Sequence, residues 1–257
     1  MNIRTLKIIG GYGKFGNKEA VKEVELKMGE IVSIVGPTGS GKTRLINDIE
    51  VFADGNTPSK RKILINDADN LEEFRSNPSD NPIALITQHT NFLSDLPVGE
   101  FLNIHAEVRQ RNGNGKIVDK TLEFANQLTG EPISLDTKMT ELSGGQTRAL
   151  LIGDAVVIGN SPILLLDEIE NAGIHRTKAL KLLKRYEKIF LFVTHDPRIA
   201  LLSDFRIVMK EGMMVKVIKT TDEEKRMAAK LKQLDDVIQD LRDKLRNGET
   251  VAWEVIG

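Results

Sequence analysis

The segment 36-GPTGSGKT-43 concentrates the chemistry of this sequence: Gly36, Pro37, Thr38, Gly39, Ser40, Gly41, Lys42 and Thr43 match G-x-x-x-x-G-K-[ST] in full. Such a loop turns successive backbone N–H groups toward one point, which suits an anion carrying several oxygens. In that reading the loop cradles the phosphates of a nucleotide, Lys42 reaches the β- and γ-oxygens, and Thr43 ligates Mg2+. A second acidic position follows at Asp167 and Glu168, directly after the apolar run 163-ILLL-166. A buried strand that ends in two carboxylates delivers them to the carboxyl edge of a sheet, where α/β folds bind ligands. Asp167 suits Mg2+ held through its hydration shell, and Glu168 suits polarisation of an attacking water. Gln88 after 83-IALIT-87 and His195 after 189-IFLFVT-194 end strands in the same way. Gln88 is placed to contact Mg2+ and the water, and His195 to hydrogen-bond the γ-phosphate.

Strands must carry these ends, and the periodicity supplies them. The run 31-IVSIV-35 feeds straight into Gly36, with a helix-capable stretch from Lys42 onward. Strands are also expected at 3–9, 21–26, within 57–70, and at 83–87, 163–166 and 189–193, with a helix around 175–187. Buried strands that alternate with helices imply an α/β fold: a phosphate-loop NTPase core with a mainly parallel sheet and an antiparallel N-terminal β portion. Between 98 and 157 the apolar spacing turns helical, interrupted at 112-NGNG-115, and reads as a mostly helical insert. A final strand pair is expected at 205–209 and 213–219, turning at Glu211-Gly212.

The bulk composition excludes several classes. The chain has 257 residues, no cysteine, and 36 basic against 37 acidic side chains. Disulfides, thiolate metal sites and a cysteine nucleophile are ruled out, and the charge balance disfavours nucleic acid as a general partner. The cluster Lys60-Arg61-Lys62 reads as a solvated turn. The N-terminus lacks the apolar region of a signal peptide, and no apolar run is long enough to span a bilayer. The expectation is a cytoplasmic protein, peripheral at the inner face of the membrane if it works there.

A second glycine pair, in 142-LSGGQ-146, has no obvious ligand of its own. The ordered set of phosphate loop, Gln88, LSGGQ, ILLLDE and VTHDP resembles the ATP-binding cassette ATPase family over roughly residues 1–220, with LSGGQ matching the family signature letter for letter. The resemblance implies that two cassettes bind head to tail, so that Ser143, Gly144, Gly145 and Gln146 serve the nucleotide of the other protomer. It also implies an aromatic residue over the adenine, for which Tyr12 is the better candidate and Phe15 the alternative, a helical subdomain inserted at 89–157, and ATP as substrate with Mg2+. The partners implied are a second copy of the chain, or a homologous cassette, and a membrane-spanning transporter subunit. That subunit would dock on the helical insert and on 89–102, where Phe92, Leu93 and Leu96 are apolar.

The sequence departs from the family pattern at 169-IENAGIH-175, where no catalytic role is assigned to His175, and at Asp154, a position that is often basic in the family. These departures keep a rival open: a soluble, non-transport cassette ATPase acting on nucleic acid or in assembly. Residues 221–257 form an amphipathic helical tail. Thr221 and Glu224 suggest a capping box. Met227, Leu231, Leu234, Ile238, Leu241 and Leu245 recur at alternating spacings of four and three. This stripe either packs back on its own domain or contacts a partner, and Gly248 suits the helix stop.

Overall fold

The structure is a computed structural model, and it describes residues 3–68, 71–76, 81–87, 89–90, 94–109, 115–168 and 176–250. Its spine is a six-stranded sheet of β3 (Ile31–Val35), β5 (Ile83–Ile86), β6 (Ile163–Asp167), β7 (Ile189–Val193), β8 (Phe205–Lys210) and β9 (Met213–Lys219). The strand order is β5-β6-β7-β3-β8-β9, and only the β8–β9 pair is antiparallel. A second sheet, β2-β1-β4, is wholly antiparallel and uses β1 (Thr5–Ile9), β2 (Glu23–Lys27) and β4 (Lys62–Ile65).

The continuous apolar runs of β6 and β7 are explained by coverage on both faces. Successive side chains point to opposite sides, so Leu164, Leu166, Phe190 and Phe192 enter one core while Ile163, Leu165, Ile189, Leu191 and Val193 enter the other. The second core also takes Leu45, Ile46 and Ile49 from α1 (Lys42–Glu50) and Leu6, Ile8, Val24, Leu26, Ile63 and Ile65 from the antiparallel sheet. Helix α1 is therefore held between the two sheets. That sheet shows the alternation expected of strands with one buried face, with Glu23, Glu25 and Lys27 of β2 outward.

The first core is capped by α3 (Val98–Arg109), α4 (Gly115–Leu128), α5 (Gly144–Val157) and α6 (Arg176–Leu183). A 3-10 turn at Met139–Glu141 precedes α5, and the short α2 (Glu72–Ser76), not expected from the sequence, follows β4. Helices α4 and α5 approach closely because Gly153 has no side chain: an added Cβ would meet the Thr121 carbonyl oxygen at 3.0 Å. Asp154 finds its reason here, since its Oδ1 lies 2.7 Å from His105 Nδ1 and links α5 to α3.

The tail is one long helix, α8 (Asp222–Arg246), and its expected capping box forms: Glu224 N–H donates to Thr221 Oγ1 (3.2 Å) and Thr221 N–H to Glu224 Oε2 (3.0 Å). It is joined to the cassette by Arg206, which donates to Glu224 (2.6 Å), and by packing of its first turns on α7 (Pro197–Leu202), where Ala228 is buried. The stripe does not pack back along its length, because Met227, Leu234, Ile238 and Leu245 remain exposed. Gly248 takes the left-handed conformation (φ 75°) just past the helix end.

Among the described residues no helix is long and apolar enough to cross a membrane. The expectation of a solvated turn at 60–62 is corrected at Arg61. Lys60 and Lys62 are exposed, but Arg61 is fully buried among Glu19, Asp48 and the carbonyl of Gly212. A local charge run does not reveal that two distant carboxylates wait beneath it.

At the opposite edge of the sheet, Lys188 is buried and donates to Asn160 Oδ1 (2.8 Å) and to the Ser161 carbonyl (3.0 Å). Desolvation pushes its pKa down from 10.5 to about 8. Folding therefore penalises the charged form, fully below pH 8, and the penalty lifts as pH rises toward 10.5. Native stability should climb by roughly 3 kcal/mol across that window. Urea midpoints measured against pH should show the rise in the native chain and a flattened profile in Lys188→Met.

Candidate functional site

The carboxyl edge of the large sheet collects the polar strand ends. Because β5, β6, β7 and β3 are parallel neighbours, the chain leaves each of them on the same side. From β3 it enters the loop 36–43 and then α1, which starts at Lys42 behind Gly41. Gly41 has to be glycine: its φ is +98°, and a Cβ there would meet the Gly212 Cα at 2.7 Å. Lys42 folds back across the loop, its Nζ donating to the carbonyls of Gly36 (2.9 Å) and Pro37 (3.3 Å). Ser40 Oγ is buried with no hydrogen-bond partner among the described residues. An unpartnered buried hydroxyl in this loop, at the N-terminal end of α1, fits an anion bound there.

From β6 the chain runs through Asp167, paired in register with Val193 of β7, to Glu168. Glu168 N–H donates to the Val193 carbonyl (3.0 Å), and its φ of +49° lies in the left-handed region that costs a non-glycine residue energy. That turn aims the carboxylate across the strand ends, where Glu168 Oε1 lies 3.4 Å from His195 Nε2. Both side chains are partly exposed, at 32% for Glu168 and 48% for His195, so solvent or a ligand reaches them. Gln88, His175, Phe92 and Leu93 lie outside the described residues, as does the divergent segment 169–175. The end of β5 that leads to Gln88 sits on this same edge beside β6.

Thr43 is exposed at the start of α1. Thr43 and Asp167 together offer one hydroxyl and one carboxylate, a donor set suited to a hard cation that keeps several waters. Among the described residues no group of three or more His, Asp or Glu forms a closed metal cage.

Beside the phosphate loop opens a pocket of about 400 Å3, lined by Tyr12, Lys14, Gly39, Arg44, Pro58 and Gly212 among others. Tyr12 is 44% exposed on its wall, whereas Phe15 is 69% exposed and does not line it. A planar ring offered at the mouth of a phosphate loop is a stacking surface for a base. Sequence reasoning missed the far wall, which comes from Pro58, Ser59 and the 211–212 hairpin turn. Only Gly212 gave any signal, as a turn residue.

The glycine pair sits at the other end of the helical part. Ser143 caps α5 by a capping box: Gln146 N–H donates to Ser143 Oγ (3.3 Å), and Ser143 N–H to Gln146 Oε1 (2.9 Å). The S-x-x-Q pattern signals this box, which the reading of LSGGQ as an anion loop passed over. Gln146 also donates to the Pro132 carbonyl (3.1 Å). Ser143 and Gly144 are exposed, and the N-terminal turn of a 14-residue helix is thereby offered to an external anion.

Comparison with known proteins gives the context. The family model described as ABC transporter matches residues 22–171. An uncharacterised ABC transporter ATP-binding protein of Methanocaldococcus jannaschii is 51% identical over 256 residues, covering 100% of this chain and 98% of that protein. A macrolide export ATP-binding/permease protein of Campylobacter jejuni is 31% identical over 229 residues, covering 82% of this chain but 33% of the longer relative. Among solved structures, a dimeric ATP-binding cassette in a post-hydrolysis state, bound to ADP and Pi, shares the fold with a TM-score of 0.60 and 24% identity over 84% of this chain and 99% of that one. The phosphate loop, the Asp-Glu strand end and the LSGGQ helix cap thus occur together on a matching fold, and the chain belongs to the ABC transporter family.

Proposed function

We propose that the chain is a Mg2+-dependent ATPase subunit that pairs head to tail with a second copy and powers a membrane-spanning partner. One observation carries the catalytic half: the phosphate loop and the facing Glu168 and His195 leave neighbouring parallel strands on one edge. The N–H groups of 36–43 and the Ser40 hydroxyl would hold the phosphates, and Lys42 would exchange its loop carbonyls for phosphate oxygens. Thr43 and Asp167, with Gln88, would hold Mg2+, which neutralises charge on the β- and γ-oxygens when bound. Glu168 accepts a proton from the attacking water, and His195 donates to the γ-phosphate, which fixes the angle of attack. Tyr12 stacks on the base.

The pairing reading rests on Ser143, Gly144, Gly145 and Gln146. Their helix terminus is preformed and exposed, so a phosphate brought by another copy meets N–H donors without rearrangement. In this reading residues 1–220 form the cassette, 89–157 its helical part and 221–257 an appended tail. The helical part is the surface offered to the membrane partner, which would hold the chain peripherally at the membrane.

Replacing the base should separate binding from turnover. Glu168→Gln should bind ATP normally, lose turnover by about a hundredfold or more, and elute as a dimer in Mg-ATP on gel filtration. Native turnover in that variant would remove Glu168 from its role. Shared sites make a second prediction, with Gly144→Asp as the partner mutation: a Cβ at Gly144 would meet nothing nearer than Arg148 Nη1, at an ordinary 3.4 Å, and an acid suits a helix N-terminus but repels phosphate. Lys42→Ala and Gly144→Asp should each be inactive alone, yet mixed in equal amounts they should regain about a quarter of native activity, because each mixed pair keeps one intact site. No recovery in a mixture shown to form mixed pairs would refute the shared site.

A further inference from the structure

Arg61 is fully buried, and a guanidinium in that position is costly unless every donor finds an acceptor. Its donors do. Nε and Nη2 fork onto the two oxygens of Glu19 (3.1 and 2.7 Å), Nη1 donates to Asp48 Oδ2 (2.8 Å), and Nη2 also donates to the Gly212 carbonyl (2.7 Å). Gly212 lines the pocket beside the phosphate loop, and the two carboxylates lie behind its walls.

The acceptors are themselves tied to lining residues. Glu19 Oε2 also accepts the N–H of Gly11 (2.7 Å), next to Tyr12, and Oε1 accepts the N–H of Met214. Asp48, on α1 behind the phosphate loop, also accepts from Ser59 Oγ (2.7 Å), while the Ser59 carbonyl takes the Tyr12 N–H (2.6 Å). Gly212 N–H in turn donates to the Ser40 carbonyl of the phosphate loop (2.8 Å). Gly11 packs so tightly that an added Cβ would lie 2.0 Å from the Ser59 carbonyl oxygen. One cation therefore ties the wall that carries Tyr12 to the turn, the hairpin and the helix that flank the phosphates. A well-packed apolar cluster would stabilise a core at least as well as such a triad, whereas hydrogen bonds fix spacing and direction in a way apolar contacts do not.

We propose that Arg61 is a positioning residue for nucleotide recognition: by clamping Glu19, Asp48 and Gly212 it sets the distance between the Tyr12 wall and the phosphate loop, so that base and triphosphate are gripped together. The proposal rests on the nucleotide reading given above. Loosening the clamp shifts the Tyr12 wall more than the loop 36–43, which touches the clamp only through the Gly212 N–H and is braced internally by Ser40 N–H on the Pro37 carbonyl (3.1 Å), so the contact made through the base weakens more than the contact made through the phosphates.

The test uses the full chain with Arg61→Lys and with Glu19→Gln, which keeps the side chain's shape and one acceptor oxygen. Calorimetric titration with Mg-ATP and with inorganic tripolyphosphate, which has no base, separates the two contacts. Both folded variants should bind ATP about tenfold more weakly and raise KM with kcat little changed, while tripolyphosphate affinity drops far less. Parallel losses for both ligands, or native ATP binding in variants whose thermal melts show a folded chain, would overturn the proposal. Should one variant fail to fold, the other decides. A native chain that binds tripolyphosphate no more weakly than ATP would instead sink the reading of Tyr12 and its pocket as a base site.

Discussion

Parallel pairing of four neighbouring strands is the constraint on which the site depends. A parallel ladder forces the chain to leave β5, β6, β7 and β3 in the same direction, so that residues from four distant stretches of sequence converge on one edge. The strands are apolar almost throughout because they are covered on both faces, and the polar residues that follow them therefore collect at the edge. Asp167, Glu168 and His195 are the consequence, and the strained backbone of Glu168 turns its carboxylate along the edge toward His195.

The same edge depends on how closely the antiparallel sheet approaches it. Helix α1 lies between the two sheets, so the loop that feeds α1 is pressed against the β8–β9 turn. Glycines at 11, 41 and 212 permit the approach, and the buried Arg61 fixes it. Removing one partner from such a triad costs more than the triad contributes, because it leaves a charge buried without its match. The pocket beside the phosphate loop is thus built from elements whose mutual spacing is set by a single cation and two carboxylates.

At the far end of the helical part, Ser143 and Gln146 terminate α5 by satisfying each other's backbone N–H groups. Their side chains are occupied in holding the helix start, which leaves the first-turn N–H groups of the glycine pair outside the helix's own ladder. Glycine suits this place because a side chain would stand between the backbone and whatever approaches it.

Most of the elements are legible in local patterns of the sequence. Apolar runs at 31–35, 163–166 and 189–193 are strands because only continuous burial explains them, and the phosphate-loop motif, the Asp-Glu strand end and LSGGQ are local patterns readable without coordinates. The capping box at Thr221–Glu224 and the stop at Gly248 are local too, and they appear where the pattern put them. Tertiary packing settles what involves residues distant in the chain: the burial of Arg61 against Glu19 and Asp48, the pairing of Asp154 with His105, and the exposure of most of the tail stripe. Hydrogen bonding and periodicity along a segment are properties of neighbours. Whether a charged or apolar side chain is buried depends on what other segments bring beside it, and that is set by packing alone.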